Sequence, residues 1–150
     1  MRKFCVEDAD AMMAISKESP KAAKWSKEGY LKLAEESGSL ALVVETDGVT
    51  SGFLIGRQVA DEGEVLNLAV SETHRRKGEG SALLAAALEE FRLRGVKSFY
   101  LEVRESNTGA IAFYERHGFA KTGLRRGYYQ EPDEAAVTMA NKTHRLGPTS

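Results

Sequence analysis

The residues best suited to chemistry lie in Val70 to Leu84, VSETHRRKGEGSALL, where an apolar run passes into a basic, glycine-containing loop and then an amphipathic stretch. A helix start offers free backbone N–H groups and the positive end of the helix dipole. Glycines there let a ligand approach the main chain, and the three together form an anion cradle of the kind that holds phosphates. Gly78 and Gly80 supply the room, while Arg75, Arg76 and Lys77 add side-chain charge around Glu79 and Ser81. For a pyrophosphate the main-chain donors matter more than any one of these cations. The same composition also describes a solvated basic loop whose glycines only serve the turn. Neither of the common nucleotide loops, GxxxxGK followed by Ser or Thr and GxGxxG, occurs in this segment.

Glu102 is the second candidate. Alternation along a strand places Tyr100, Glu102 and Arg104 on one face and Phe99, Leu101 and Val103 on the other. If both faces were covered, the carboxylate would have to be paired, protonated or employed. A salt bridge to Arg104 or to a neighbouring lysine is the structural alternative. Periodicity alone makes Tyr114 a core aromatic beside Phe113, and Asn107 is placed to cap the helix that carries them. Cys5, on the expected first strand, has no inferable histidine partner for covalent catalysis, and as the only cysteine it fits a reducing compartment. His74, His117 and His144 are too far apart for a local metal site, and no metal is expected.

The elements that must position these groups alternate between the strand period and the helix period. Strand Arg2 to Val6 leads to a helix over Glu7 to Glu18, and Ser26 caps a second over Lys27 to Glu36. Ser39 to Glu45 and Val49 to Val59 form a hairpin about Asp47–Gly48. After a turn at Asp61 to Gly63, the near-continuous apolar run within Glu64 to Val70 predicts a central strand covered on both faces. A helix over Gly80 to Arg94, a strand over Ser98 to Val103 and a helix over Asn107 to His117 follow. Two last strands, Phe119 to Tyr129 and Ala135 to Asn141, flank a turn at Glu131 to Asp133. The expected fold class is therefore α/β, a mixed sheet with about four helices. Residues 1–143 form one domain and 144–150 a flexible tail.

The chain has 150 residues, about one domain's worth, and its 42% hydrophobic and 29% charged composition excludes a disordered chain. Twenty-one basic residues against 22 acidic ones leave a net charge of −1, which does not advertise a nucleic-acid surface, and two short Arg/Lys clusters do not supply one. No apolar run approaches the roughly 20 residues of a membrane span, and MRKFCVEDAD lacks the apolar core of a secretory signal. No membrane or nucleic-acid partner is expected, and the expected location is cytoplasmic.

Arg75, Gly78 and Gly80 match the acetyl-CoA pyrophosphate loop of the GNAT acyltransferases: Arg or Gln, two residues, Gly, one residue, then Gly or Ala. Downstream, LEVRESNTGAIAFYERHGF resembles the segment that completes the acyl-CoA site of that family. NLAV, LEVR, SN, FY, HGF and RRGYY, in this order, resemble the RimI-like protein N-terminal acetyltransferases between Asn67 and Met139. At Glu134–Ala135–Ala136 the chain departs from a Glu–Asp pair common in that subgroup.

The resemblance implies a GNAT domain, a mostly antiparallel sheet with a central parallel pair, and direct acetyl transfer from acetyl-CoA. It makes Glu102 the general base and Tyr114 the general acid. It places an oxyanion-stabilising N–H at the end of the strand carrying Leu68, Ala69 and Val70, and lets Asn107 contact the coenzyme as well as cap its helix. Tyr128 and Tyr129 would line a peptide slot, the alternative being ordinary strand aromatics. The acceptor it implies is a protein N-terminal α-amine such as that of a ribosomal protein. A small amine (polyamine, amino acid or drug) and a noncatalytic CoA-binding module are the competing readings, and oligomeric state is not implied.

Overall fold

Asp8 decides where the chain first turns helical. Its carboxylate accepts from the Cys5 main-chain N–H at 2.7 Å and from the Arg2 guanidinium at 2.8 and 2.9 Å. The first strand, β1, is therefore only Arg2–Lys3 instead of running to Val6. A single 3-10 turn at Val6–Asp8 delays the first helix, α1, to Ala9–Lys17. These coordinates are a computed structural model, which describes residues 1–18, 26–75, 77–130 and 133–142 and, among these, all side chains except those of 34, 127–130, 133 and 142. The turn expected at Glu131 to Asp133 falls largely outside the described residues, and the tail expected over 144–150 falls outside them entirely.

Ser26 caps α2, Lys27–Glu35, by accepting from the Gly29 N–H at 3.1 Å. Strands β2, Ser39–Thr46, and β3, Val49–Val59, join through Asp47 and Gly48, both with positive φ, as a right-twisted hairpin requires. The next turn is tighter than expected. Ala60 takes a φ of 55°, so β4 begins at Glu62 and runs to Val70. Helix α3, Glu79–Leu93, buries Leu83, Leu84, Ala87, Leu88 and Phe91. Then come β5, Ser98–Arg104, α4, Thr108–Arg116, β6, Ala120–Gln130, and β7, Asp133–Lys142.

Among the described residues the strands form one seven-stranded sheet in the order β1-β2-β3-β4-β5-β7-β6, antiparallel except for β4 with β5. Each face carries its own apolar cluster. Leu54, Leu84, Phe91, Phe99 and Met139 fill the side that packs α3 and α4, and Met12, Ile15, Tyr30, Val43 and Phe53 fill the side that packs α1 and α2. Strand β4 serves both, with Val65, Leu68 and Val70 in the first and Leu66 and Ala69 in the second. That double cover is why its sequence reads as one apolar run.

Two irregularities in β4 matter for the site. The ladder with β3 shifts register between Ile55 and Gly56, where Asn67 and Val65 are successive partners and Leu66 is the extra residue, a bulge that bends the strand. The parallel ladder with β5 runs only from Glu62 and Ser98 to Val65 and Leu101. Beyond it, Leu66 to Val70 and Glu102 to Arg104 are not paired with each other, and the sheet opens along one edge of each strand.

Candidate active site

A cleft of about 400 Å³ lies where the free end of β4 meets the start of α3 and one face of α4. Leu68, Ala69 and Val70 form its floor, and His74, Arg75 and Gly78 bring the connecting loop to its rim. Gly80 and Ser81 come from the first turn of α3, and Ala110, Phe113, Tyr114 and Arg116 from α4.

The start of α3 leaves main-chain donors open. Gly78 precedes it with φ +82°, a left-handed conformation natural to glycine, and a Cβ there would meet no atom within 4 Å. Among the described residues no side chain caps this helix, and its first internal hydrogen bond to the cap residue runs from the Ala82 N–H to the Gly78 carbonyl at 3.0 Å. The N–H groups of the first turn are therefore left for a ligand, with the helix dipole behind them. By contrast, α2 and α4 have side-chain caps, in the latter case Asn107 accepting from the Ala110 N–H at 3.2 Å.

Several expected contacts are redistributed. Leu68, Ala69, Val70, Arg75, Gly78, Gly80 and Ser81 all line the cleft. Lys77 is exposed and Asn107 sits at the head of α4, neither in the cleft lining, and Arg76 lies outside the described residues. The Arg75 guanidinium is engaged with the carbonyls of Val70 (3.1 Å) and Glu18 (3.2 Å), so it braces the loop as well as charging it. The Glu79 carboxylate turns away from the cleft, toward Thr46 and Ser51.

Sequence reasoning missed His74, Ala110, Phe113 and Arg116. The Ala110, Phe113, Tyr114 spacing was the available signal, since a stripe at i, i+3, i+4 can face a cleft as readily as a core. His74 carried none, because its place depends on a hydrogen bond between its Nδ1 and the Ser71 hydroxyl at 2.7 Å.

Tyr114 is buried, edge-on to both Phe113 (5.3 Å) and Phe119 (5.6 Å), so it packs in the core and faces the cleft at once. Burial pushes its hydroxyl well above the ordinary tyrosine range, and no charge or hydrogen bond among the described residues offsets it. Glu102 lies at the first β5 position past the end of the parallel ladder, on the face away from Phe99, Leu101 and Val103. Tyr100 beside it is exposed, while the Glu102 side chain itself is only 15% exposed.

Among the described residues the carboxylate's ion-pair partner is neither Arg104 nor a lysine. Arg125 Nη1 from β6 reaches both of its oxygens, at 2.8 and 3.1 Å, while Arg104 pairs with Glu134 on β7. Strand β7 lies between β5 and β6, so the long Arg125 side chain reaches Glu102 across an intervening strand, whereas Arg104 and Glu134 stand on adjacent strands. Tyr128 and Tyr129 belong to β6, and their side chains lie outside the described set.

The sheet is thus split between β4 and β5, with the start of α3 facing the split. Residues 9–119 match the Acetyltransferase (GNAT) family, and the chain belongs to that family. Among its relatives is the [ribosomal protein bS18]-alanine N-acetyltransferase of Escherichia coli (strain K12), 43% identical over 96 residues; the match covers 63% of this chain and 65% of that enzyme's length. The crystal structure of the ribosomal-protein-S18-alanine N-acetyltransferase from Escherichia coli superposes with a TM-score of 0.82 at 33% identity, covering 93% of this chain and 90% of that one. Ard1 from Thermoplasma volcanium superposes with a TM-score of 0.86 at 32% identity over 95% of both chains.

Proposed function

We propose that this protein is a cytoplasmic enzyme that acetylates the N-terminal α-amine of a protein, an alanine of a ribosomal protein being the leading acceptor. The observation that carries the reading is the glycine-entered start of α3 beside the unpaired edge of β4, in a chain 43% identical over 96 residues to an enzyme named for that reaction. Acetyl-CoA, when bound, supplies an activated thioester. The free N–H groups of the α3 first turn suit its diphosphate, and the open edge of Leu66 to Val70 offers main-chain donors and acceptors alongside.

Glu102 takes the proton of the acceptor amine. An α-amine with an ordinary pKa of about 7.7–8.0 is mostly protonated at neutral pH and needs such a base before it can attack. The incoming ammonium is also a cation able to replace Arg125 at that carboxylate. Tyr114 donates from the cleft side toward the leaving sulfur. Because burial disfavours its anion, it acts first as a hydrogen-bond donor to developing thiolate charge and only afterwards, if at all, as a full acid. Tyr128 and Tyr129 line the acceptor slot.

The test sets peptides with N-terminal alanine, among them the first residues of ribosomal protein S18, against a panel of polyamines, amino acids and aminoglycosides, with products read by mass spectrometry. Transfer to the peptide α-amine is expected; transfer confined to small amines overturns the acceptor assignment, and coenzyme binding with no transfer at all favours a binding module. Glu102→Gln should lower kcat by about 100-fold or more with acetyl-CoA binding intact. Unchanged turnover would remove Glu102 from the mechanism.

A further inference from the structure

Ser51 holds both ends of the loop that connects β4 to α3. Its carbonyl accepts from the Ser71 N–H at 2.7 Å, where the chain leaves β4, and its hydroxyl donates to Glu79 Oε1 at 2.8 Å, where the chain enters α3. Thr46, across the hairpin, donates its hydroxyl to Glu79 Oε2 at 2.8 Å, and the two hydroxyl oxygens lie 3.0 Å apart. Ser51 is fully buried, and Glu79 and Thr46 are half-buried. Each carboxylate oxygen thus receives one proton from a neutral donor fixed on the sheet.

A carboxylate at the first position of α3 is favourable to the helix itself, because it faces the positive end of the dipole. It is also a negative charge at the place where the cleft offers its anion donors. Left free on the loop it would compete with any phosphate for those N–H groups and repel it. The two hydroxyls, from strands more than 25 residues earlier in the chain, remove that conflict by turning the side chain toward the hairpin.

We propose that Thr46 and Ser51 are positioning residues that park the Glu79 carboxylate away from the cleft and so set the affinity of the loop for the diphosphate of acetyl-CoA. The proposal rests on the acetyl-CoA reading above. Neither hydroxyl touches the reacting atoms, so the acetyl-transfer step itself is unaffected.

The experiment measures the dissociation constant for CoA by calorimetry, with no acetyl transfer involved, and steady-state kinetics alongside. Thr46→Val should raise the Kd for CoA and the KM for acetyl-CoA by about five- to tenfold while kcat and the acceptor KM stay put, the size expected for one partly screened like-charge contact. Thr46→Ser keeps the hydroxyl and should bind CoA as wild type does. Glu79→Gln, which removes the charge, should bind at least as well as wild type. The double variant Thr46→Val/Glu79→Gln should recover most of the lost affinity. A loss that persists undiminished in the double variant would show that the hydroxyls only stabilise the hairpin, and unchanged CoA affinity in Thr46→Val would equally overturn the proposal. Absence of CoA binding by the wild type would instead remove the acetyl-CoA reading, and this inference with it.

Discussion

Tyr114 joins two roles that usually exclude each other. Its ring fills the core between Phe113 and Phe119, while the residue also lines the cleft. A phenol whose anion is disfavoured by burial remains protonated across the working pH range, which suits a donor that waits for charge to develop. Tyr114→Phe should therefore leave the melting temperature equal to or above that of wild type, since the lost hydroxyl gives up no bond to the described residues. Turnover should nonetheless fall by about tenfold, the worth of one hydrogen bond made in the transition state. A matched loss of stability and activity would mean that Tyr114 serves packing alone. Glu102 differs: its side chain is only 15% exposed, and it is held by Arg125, whose side chain is 56% exposed.

At the scale of elements, the β4–α3 junction works because it lacks things. It has no side-chain cap, no Cβ at Gly78 and none at Gly80. Gly80 is already helical, and a Cβ there would sit 3.6 Å from the Phe113 ring, an ordinary contact. Its glycine is thus not required by folding, and alanine is the better helix former by about 1 kcal/mol. Gly80→Ala should accordingly hold or raise stability in denaturant melts while weakening CoA binding, because the new methyl occupies the mouth of the cleft between Phe113 and Val70. If affinity were unchanged, Gly80 would have no part in the site. The arrangement also explains why a basic loop need not bind through its cations: Arg75 is committed to two carbonyls, and the dipole and main-chain donors remain.

For the molecule as a whole, the Arg2, Asp8, Glu45 and Thr50 cluster ties the first strand, the entry to α1 and the β2–β3 hairpin together. The Arg2 guanidinium, helped by the Cys5 N–H and opposed by desolvation, holds the Asp8 carboxyl below its ordinary value of 3.8. A folded-state pKa below the unfolded one means that the unfolded chain takes up the proton first. The stabilisation is fully present above the unfolded value and is lost as pH falls through the folded one. Asp8→Asn should lower the melting temperature near neutrality and flatten its decline as pH falls through the carboxyl range. An acid transition of unaltered steepness would assign that decline to other carboxylates.

Strand and helix periods, the Asp47–Gly48 hairpin, the Ser26 cap and the Gly78–Gly80 loop could all be read from the chain, because each depends on residues within a few positions of one another. The end of β1 could not, since it hangs on Asp8 gripping Arg2 and Cys5 through side-chain geometry that no propensity encodes. By itself the sequence determined the order of elements, the double-sided burial of β4 and the presence of a basic, glycine-containing loop between it and α3. The tertiary structure alone decided where β4 and β5 part, that Glu102 faces Arg125 rather than Arg104, and that Glu79 turns from the cleft toward Thr46 and Ser51. Those outcomes join residues 23 to 36 positions apart, on strands and on the helix packed against them, and only the completed sheet with its helices brings such groups within bonding distance.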